Sequence, residues 1–152
     1  MDMVTALAIS IAVLLAVLVK AGSIFSLNVP IAIIAWACFF AAGGKLSGLV
    51  RSLASMISGV VWSLLGTMLT LQANLWSYGW AFVGVIGFIV VIQSKVKVLS
   101  FIPGALLGVA VTRASGAGTI PFAALVVVAV IVGAVAGYVS ELLAGMMTKK
   151  TA

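Results

Sequence analysis

From about Ile120 to Met147 the chain carries one charge, Glu141, among residues that are otherwise apolar or small. A bilayer core about 30 Å thick is crossed by about 20 helical residues, so this stretch can span one. Met3 to Val19, ended by Lys20, and about Leu49 to Gln72 read the same way. In hydrocarbon each segment has to satisfy its own backbone polar groups, which makes such runs helices. Of the 152 residues, 65% are hydrophobic and 7% are charged. A soluble domain of this size could not hide that much apolar surface behind a charged exterior. The expectation is an all-α integral membrane protein, a single transmembrane domain over residues 1–152.

The same composition excludes several function classes. The net charge is +6, but Lys and Arg stand singly or in pairs near segment ends, as cytoplasmic loop residues do. No nucleic-acid partner is expected. There is no histidine, and the one cysteine, Cys38, lies in an apolar run. A disulfide framework, a metal centre and Cys–His chemistry are therefore not expected. With no phosphate-binding loop and no paired carboxylates either, we expect neither a cofactor nor an enzymatic activity. The start, "MDMVTALAISIAVLLAVLVKAGS", has Asp2 where a cleaved signal would carry positive charge. Its apolar run also exceeds the usual signal length, so it reads as the first membrane helix.

Three further segments follow, of which the second and fifth in chain order are short. Val29 to Ala42 has Pro30 at a helix-starting position and Gly43-Gly44 as its stop. About Gly79 to Ile92 is ended by Lys95 and Lys97. Ile102 to Val111 opens with Pro103, then meets Arg113 and a Ser-Gly-Ala-Gly run; it covers only about 15 Å at ~1.5 Å per residue. "VPIAIIAWACFFAAGG" lies over "IPGALLGVAVTRASGA" at an offset of 73 residues, matching Pro30 with Pro103, Ala32 with Ala105, Ala35 with Gly108 and Gly43 with Gly116. Gly59 and Gly133 follow in the next segments, one residue out of step. We therefore expect two three-segment repeats, about 3–72 and 76–147, the second inverted because three crossings is an odd number. With six crossings, Lys45, Arg51, Lys95, Lys97, Lys149 and Lys150 face the cytoplasm, opposite Lys20 and Arg113, as the positive-inside rule requires. Four crossings, with the second and fifth segments re-entrant, balance the charges equally well. Six is preferred, with both termini cytoplasmic, because the loop carrying Trp76, Tyr78 and Trp80 has no positive charge and suits an outer aromatic belt.

Short, Gly/Pro-interrupted segments at matching places in two halves point to a transport site. Backbone groups freed at their ends must face protein or water rather than lipid. Pro30, Trp36, Gly43, Pro103, Gly104 and Gly108 are pathway candidates on this ground. In the third segment Ser52, Ser55, Gly59, Ser63 and Gly66 share one helical face, with Ser58 close by. Such a face either lines a polar path or packs closely against another helix. Arg113 stands at a pore mouth or snorkels to the interface. Glu141, an acid within or at the edge of the membrane, is a functional candidate by default; its alternative is a pairing with Lys149 or Lys45. Ala129, Gly133 and Gly137 form a small-residue ridge for helix packing, within the chain or between subunits.

The run "QSKVKVLSFIPGALLGVAVTRASGAG", with "GGKLSGL" and "SGVVWSL" upstream, resembles the YcdZ-like family of small bacterial inner-membrane proteins, a domain of unknown function. The likeness covers about Ala41 to Tyr138 and is most specific at Ser100 to Gly104. It implies residence in the bacterial inner membrane and carries no activity with it. Aromatic or small residues near Trp36 are a family feature by the same resemblance. In architecture alone, a duplicated unit with a short interrupted segment is similar to urea channels and aquaporins. The expected function is a passive channel or facilitator for a small polar solute, urea-like or a small anion, with the two interrupted segments meeting near the midplane. The alternatives are a proton-linked secondary transporter acting through Glu141 and a non-transporting membrane scaffold. Expected partners are the lipid bilayer, the solute and further copies of the chain, with a trimer as the first state to test.

Overall fold

The computed structural model describes residues 2–72 and 76–149, the side chains of Trp76 and Lys149 excepted. Six α-helices account for nearly all of it: α1 Met3–Phe25, α2 Val29–Ala41, α3 Lys45–Gln72, α4 Gly79–Ile92, α5 Ile102–Ala114 and α6 Ile120–Lys149. One 3-10 turn lies before α4 and two lie after it. By length and hydropathy, α1, α3 and α6 are each sufficient to cross a membrane, while α2, α4 and α5 are shorter apolar helices. Large apolar side chains such as Val13, Val17, Leu69, Phe88 and Leu125 point outward around the bundle. That exterior suits lipid, and the fold is that of an all-α membrane protein.

The helix ends follow from local chemistry. Asp2 caps α1, its side chain accepting the Thr5 backbone N–H at 2.9 Å. α1 continues past Lys20 to a left-handed Ser26 (φ 54°), whose N–H bonds back to the Gly22 carbonyl. Asn28 then caps α2, accepting from the Ile31 N–H at 3.3 Å, with Pro30 in the first turn, where its missing N–H costs nothing. α2 stops at three consecutive residues of positive φ, Gly43 (98°), Gly44 (63°) and Lys45 (56°). α5 stops one residue before the equivalent turn, where Gly116 has φ 67°. Residues 1, 73–75 and 150–152 lie outside the described residues, and with them Lys150 and part of the stretch before Trp76.

Packing is exchanged between the halves. α2 lies along α6 and α5 along α3, and these two pairings are the most extensive in the molecule. Both are parallel and both close on backbone. A Cβ on Gly133 would lie 1.9 Å from the Ala32 carbonyl oxygen, and one on Gly59 would lie 2.0 Å from that of Ala105. Ala32 and Ala105 are the residues matched by the internal offset, and Gly59 and Gly133 are the matched glycines of the long helices. A third correspondence joins Gly44, beside Glu141, to Gly118, beside Thr67. The two long helices run antiparallel to each other, each flanked by an antiparallel outer helix. Ser10 and Leu18 of α1 meet the Ser140 and Val132 levels of α6; Ile86 and Gln93 of α4 meet Gly66 and Trp62 of α3.

The two glycine breaks do not approach a common midplane. Gly44 sits against Glu141 near the end of α6, and Gly118 against Thr67 near the end of α3. Lys45 and Thr67 are separated by roughly 33 Å of helix at ~1.5 Å per residue. The breaks therefore cap opposite ends of the bundle. The cause is the parallel pairing, which carries each short helix along the whole apolar length of its partner before the chain turns.

Candidate functional site

The face of α3 that bears hydroxyls and glycines is a packing face in this conformation. Gly59 touches the Ala105 backbone, and Gly108 of α5 would place a Cβ 2.1 Å from the Met56 carbonyl oxygen. Gly104 is covered by Phe101 and Ser55. Ser63 is buried with its hydroxyl 3.5 Å from the Val109 carbonyl. On the other pair, Gly133 meets Ala32, and Gly137 meets Trp36 and Phe39. With Ala129 also buried, the ridge on α6 is consumed by α2 inside the chain. It leaves no glycine surface there for a neighbouring subunit. Pro30 and Pro103 lie exposed in the first turns of the short helices.

Three polar groupings remain. The first links α1, α2 and α6. Trp36 Nε1 donates to Ser140 Oγ at 3.3 Å, Ser140 Oγ donates to the Gly137 carbonyl at 2.7 Å, and Ser10 Oγ bonds to the Ser140 carbonyl at 3.0 Å. The second joins α3 to the end of α4. Trp62 Nε1 donates to Gln93 Oε1 at 2.9 Å, Gln93 Nε2 donates to Ser58 Oγ at 2.8 Å, and Ser58 Oγ donates to the Ser55 carbonyl at 2.8 Å. Gln93 was not among the sequence candidates, because an amide just before two lysines reads as a loop residue. Next to this group, fully buried Ser55 has the one buried side-chain polar atom without a hydrogen-bond partner among the described residues.

The third grouping is a pair of unlike ends. At one end, Glu141 Oε2 accepts the Lys45 backbone N–H at 2.6 Å, and its carboxylate lies over Gly44, with Oε1 2.9 Å from where a Cβ would stand. Glu141 thus reaches the main chain at the start of α3, where a negative charge is favoured, and among the described side chains it does not pair with the Lys45 ammonium. Lys45, Arg51 and Lys97 are exposed at this end.

At the other end the break after α5 opens into recesses. One of about 310 Å³ is lined by Thr67, Leu71, Thr112, Arg113, Gly116, Ala117 and Gly118. A second of about 140 Å³ is bounded by Thr67, Thr70, Gly79 and Arg113. A third of about 200 Å³ reaches from Ser115 and Ala117 to Ser26, Leu27 and Asn28 at the start of α2. The hydroxyls of Thr67, Thr70 and Thr112 each donate to a carbonyl four residues back, which leaves their oxygens acceptor capacity only; Thr67 is the half-buried one and Thr70 and Thr112 are buried. Arg113 is the charged residue that lines the first two of these recesses. Gly43 and Gly116, the two break glycines singled out from sequence, have open space about them.

Among the described residues no cluster of His, Cys, Asp or Glu could hold a metal ion. No solved structure matches the chain. Among curated proteins it is 37% identical over 92 residues to the uncharacterized protein YahC of Escherichia coli (strain K12), covering 57% of this chain and 56% of that protein. It is 33% identical over 96 residues to the inner membrane protein YcdZ of the same strain, covering 57% and 58%. It is 31% identical over 96 residues to the inner membrane protein YcdZ of Salmonella typhimurium (strain LT2), covering 57% and 59%. The matched region spans less than two thirds of each of these relatives. The family described as protein of unknown function DUF1097 matches residues 8–145, nearly the whole bundle, and the chain belongs to that family.

Proposed function

We propose that the chain is a multi-pass inner-membrane facilitator for a small polar solute, entered at the Arg113 end. Residence in the inner membrane is carried over from the YcdZ relatives, whose printed names state it. The observation that carries the rest is the set of recesses around Arg113, Thr67, Thr70 and Thr112, polar ground at the end of an otherwise apolar bundle. A structural membrane protein has no use for a hydroxyl-lined hollow beside an unpaired cation. Conduction would require α5 to shift along α3, since their glycine contacts close the interior in this conformation. The unpartnered Ser55 hydroxyl lies beneath that contact and offers a passing solute its next hydrogen bond. The duplication is read as inverted, with six crossings; the antiparallel long helices and their equivalent glycine contacts support this. The Glu141 end, richer in Lys and Arg, is assigned to the cytoplasm.

The test is flux into liposomes holding the purified protein, with urea, glycerol, formate and acetate, with and without a proton gradient. Protein-dependent entry of at least one solute, insensitive to the gradient, is expected. No flux of any solute would overturn the reading. The proton-linked alternative draws on Glu141, but that carboxylate is engaged with the main chain at Lys45. A gradient-dependent flux lost in Glu141→Gln would favour it instead. A scaffold assembled between subunits through the Gly133 and Gly137 ridge is not favoured, because α2 covers that ridge.

A further inference from the structure

The molecule contains its own example of a carboxylate held at a glycine break. At the cytoplasm-assigned end, Glu141 of α6 lies over Gly44 and bonds to Lys45. At the opposite end the corresponding pair is Thr67 of α3 and Gly118, with the threonine methyl 3.7 Å from a Cβ built on that glycine. The side chain facing the break has therefore changed from a carboxylate to a shorter neutral group. A recess of about 310 Å³ opens beside this break. Arg113 lines both this recess and its neighbour. Both acids of the chain are committed elsewhere, Asp2 to the start of α1 and Glu141 to the start of α3. Arg113 is left without an acidic partner from its own chain.

From this correspondence we infer that the recess bounded by Thr67, Thr112, Arg113 and Gly118 binds a small carboxylate, which takes the place that Glu141 occupies at the other end. The inference names the solute class for the path proposed above and rests on that reading. The charge is the deciding term. An arginine binds a carboxylate through two parallel charge-assisted bonds, whereas a neutral amide of the same shape gains a fraction of that. The back-bonded threonine hydroxyls donate nothing to the ligand, so Arg113 is the principal donor. The same chemistry could be met by an anionic lipid headgroup at the membrane face. A free solute is preferred because the recess reaches inward between α3 and α5 to Thr112, which is fully buried.

The experiment measures acetate binding to the full chain by tryptophan fluorescence and by thermal stabilisation. It uses nanodiscs of phosphatidylcholine alone and nanodiscs containing phosphatidylglycerol, with acetamide as the neutral isostere. Saturable binding of acetate but not acetamide is expected in both lipids. Arg113→Gln should weaken it by about tenfold or more, while Arg51→Gln at the other end leaves it unchanged. Thr67→Glu supplies the tethered carboxylate and should abolish acetate binding while the protein melts at the same or a higher temperature. Equal binding of acetamide, indifference to Arg113→Gln, or a response to phosphatidylglycerol in place of acetate would overturn the inference. Flux of neutral solutes without acetate binding removes this inference and spares the facilitator. Acetate binding without any flux removes the facilitator and spares the site.

Discussion

Gly133 and Gly59 show what a single hydrogen atom in place of a methyl does in this bundle. Each lets a helix backbone approach another to a distance that a Cβ would occupy, in contact with the carbonyl of Ala32 or Ala105. Helices in lipid associate through such packing, with no hydrophobic drive between them. Gly133→Ala and Gly59→Ala should each destabilise the protein by about 1–3 kcal/mol, by overpacking. Gly87→Ala, which meets nothing within 4 Å, should be close to neutral. Unfolding in mixed micelles compares the three, and equal stability for all of them would remove the backbone contacts from the account. Asp2 gives a pH-dependent counterpart. Hydrogen bonding from the Thr5 side chain and then its backbone N–H holds the Asp2 carboxyl below its ordinary 3.8. A carboxyl depressed in this way contributes to capping above its unfolded value and loses that contribution as pH falls through the folded one. Carbon-13 NMR titration of Asp2 should give a midpoint below 3.8, and Thr5→Ala should raise it.

Among elements, the short helices are where sequence and structure part. Their existence, their Pro-bearing first turns and their glycine stops were legible, because proline and glycine act on the local backbone whatever surrounds it. Where those stops lie was not. Length alone cannot distinguish a helix that ends midway through the membrane from one that runs beside a long partner to its far end. The hydroxyl face of α3 was ambiguous for a related reason, since Ser55, Gly59 and Ser63 suit a polar lining and a close crossing equally. α1 outran its expected end at Lys20 by several residues, because a lysine stem can lie along the helix while its ammonium reaches water. The Trp62–Gln93–Ser58 link depends on a contact between elements 31 and 35 residues apart, which periodicity does not report. Gln93→Leu should cost about 1–2 kcal/mol by leaving the indole N–H without its acceptor. A changed emission maximum accompanied by no loss of stability would show the link to be incidental.

For the whole molecule, six crossings with ends of opposite exposure can be tested with single cysteines on a Cys38→Ala background. Ser47 and Ser115 are both exposed and lie at opposite ends of the bundle. Ser47→Cys should react with a membrane-impermeant maleimide from the cytoplasmic side, and Ser115→Cys from the other. Labelling of both from one side would give four crossings and remove the inverted arrangement. The exchanged pairing of α2 with α6 and of α5 with α3 has a consequence beyond topology. A chain severed between α3 and α4 yields two pieces, each lacking the helix to which its short member is most closely fitted. Neither piece should survive alone, yet produced together they should reassemble. On the inverted duplication proposed above, an ancestor of half the length would have worked as two identical copies clasping each other head to tail, which requires one polypeptide to enter the bilayer in both orientations.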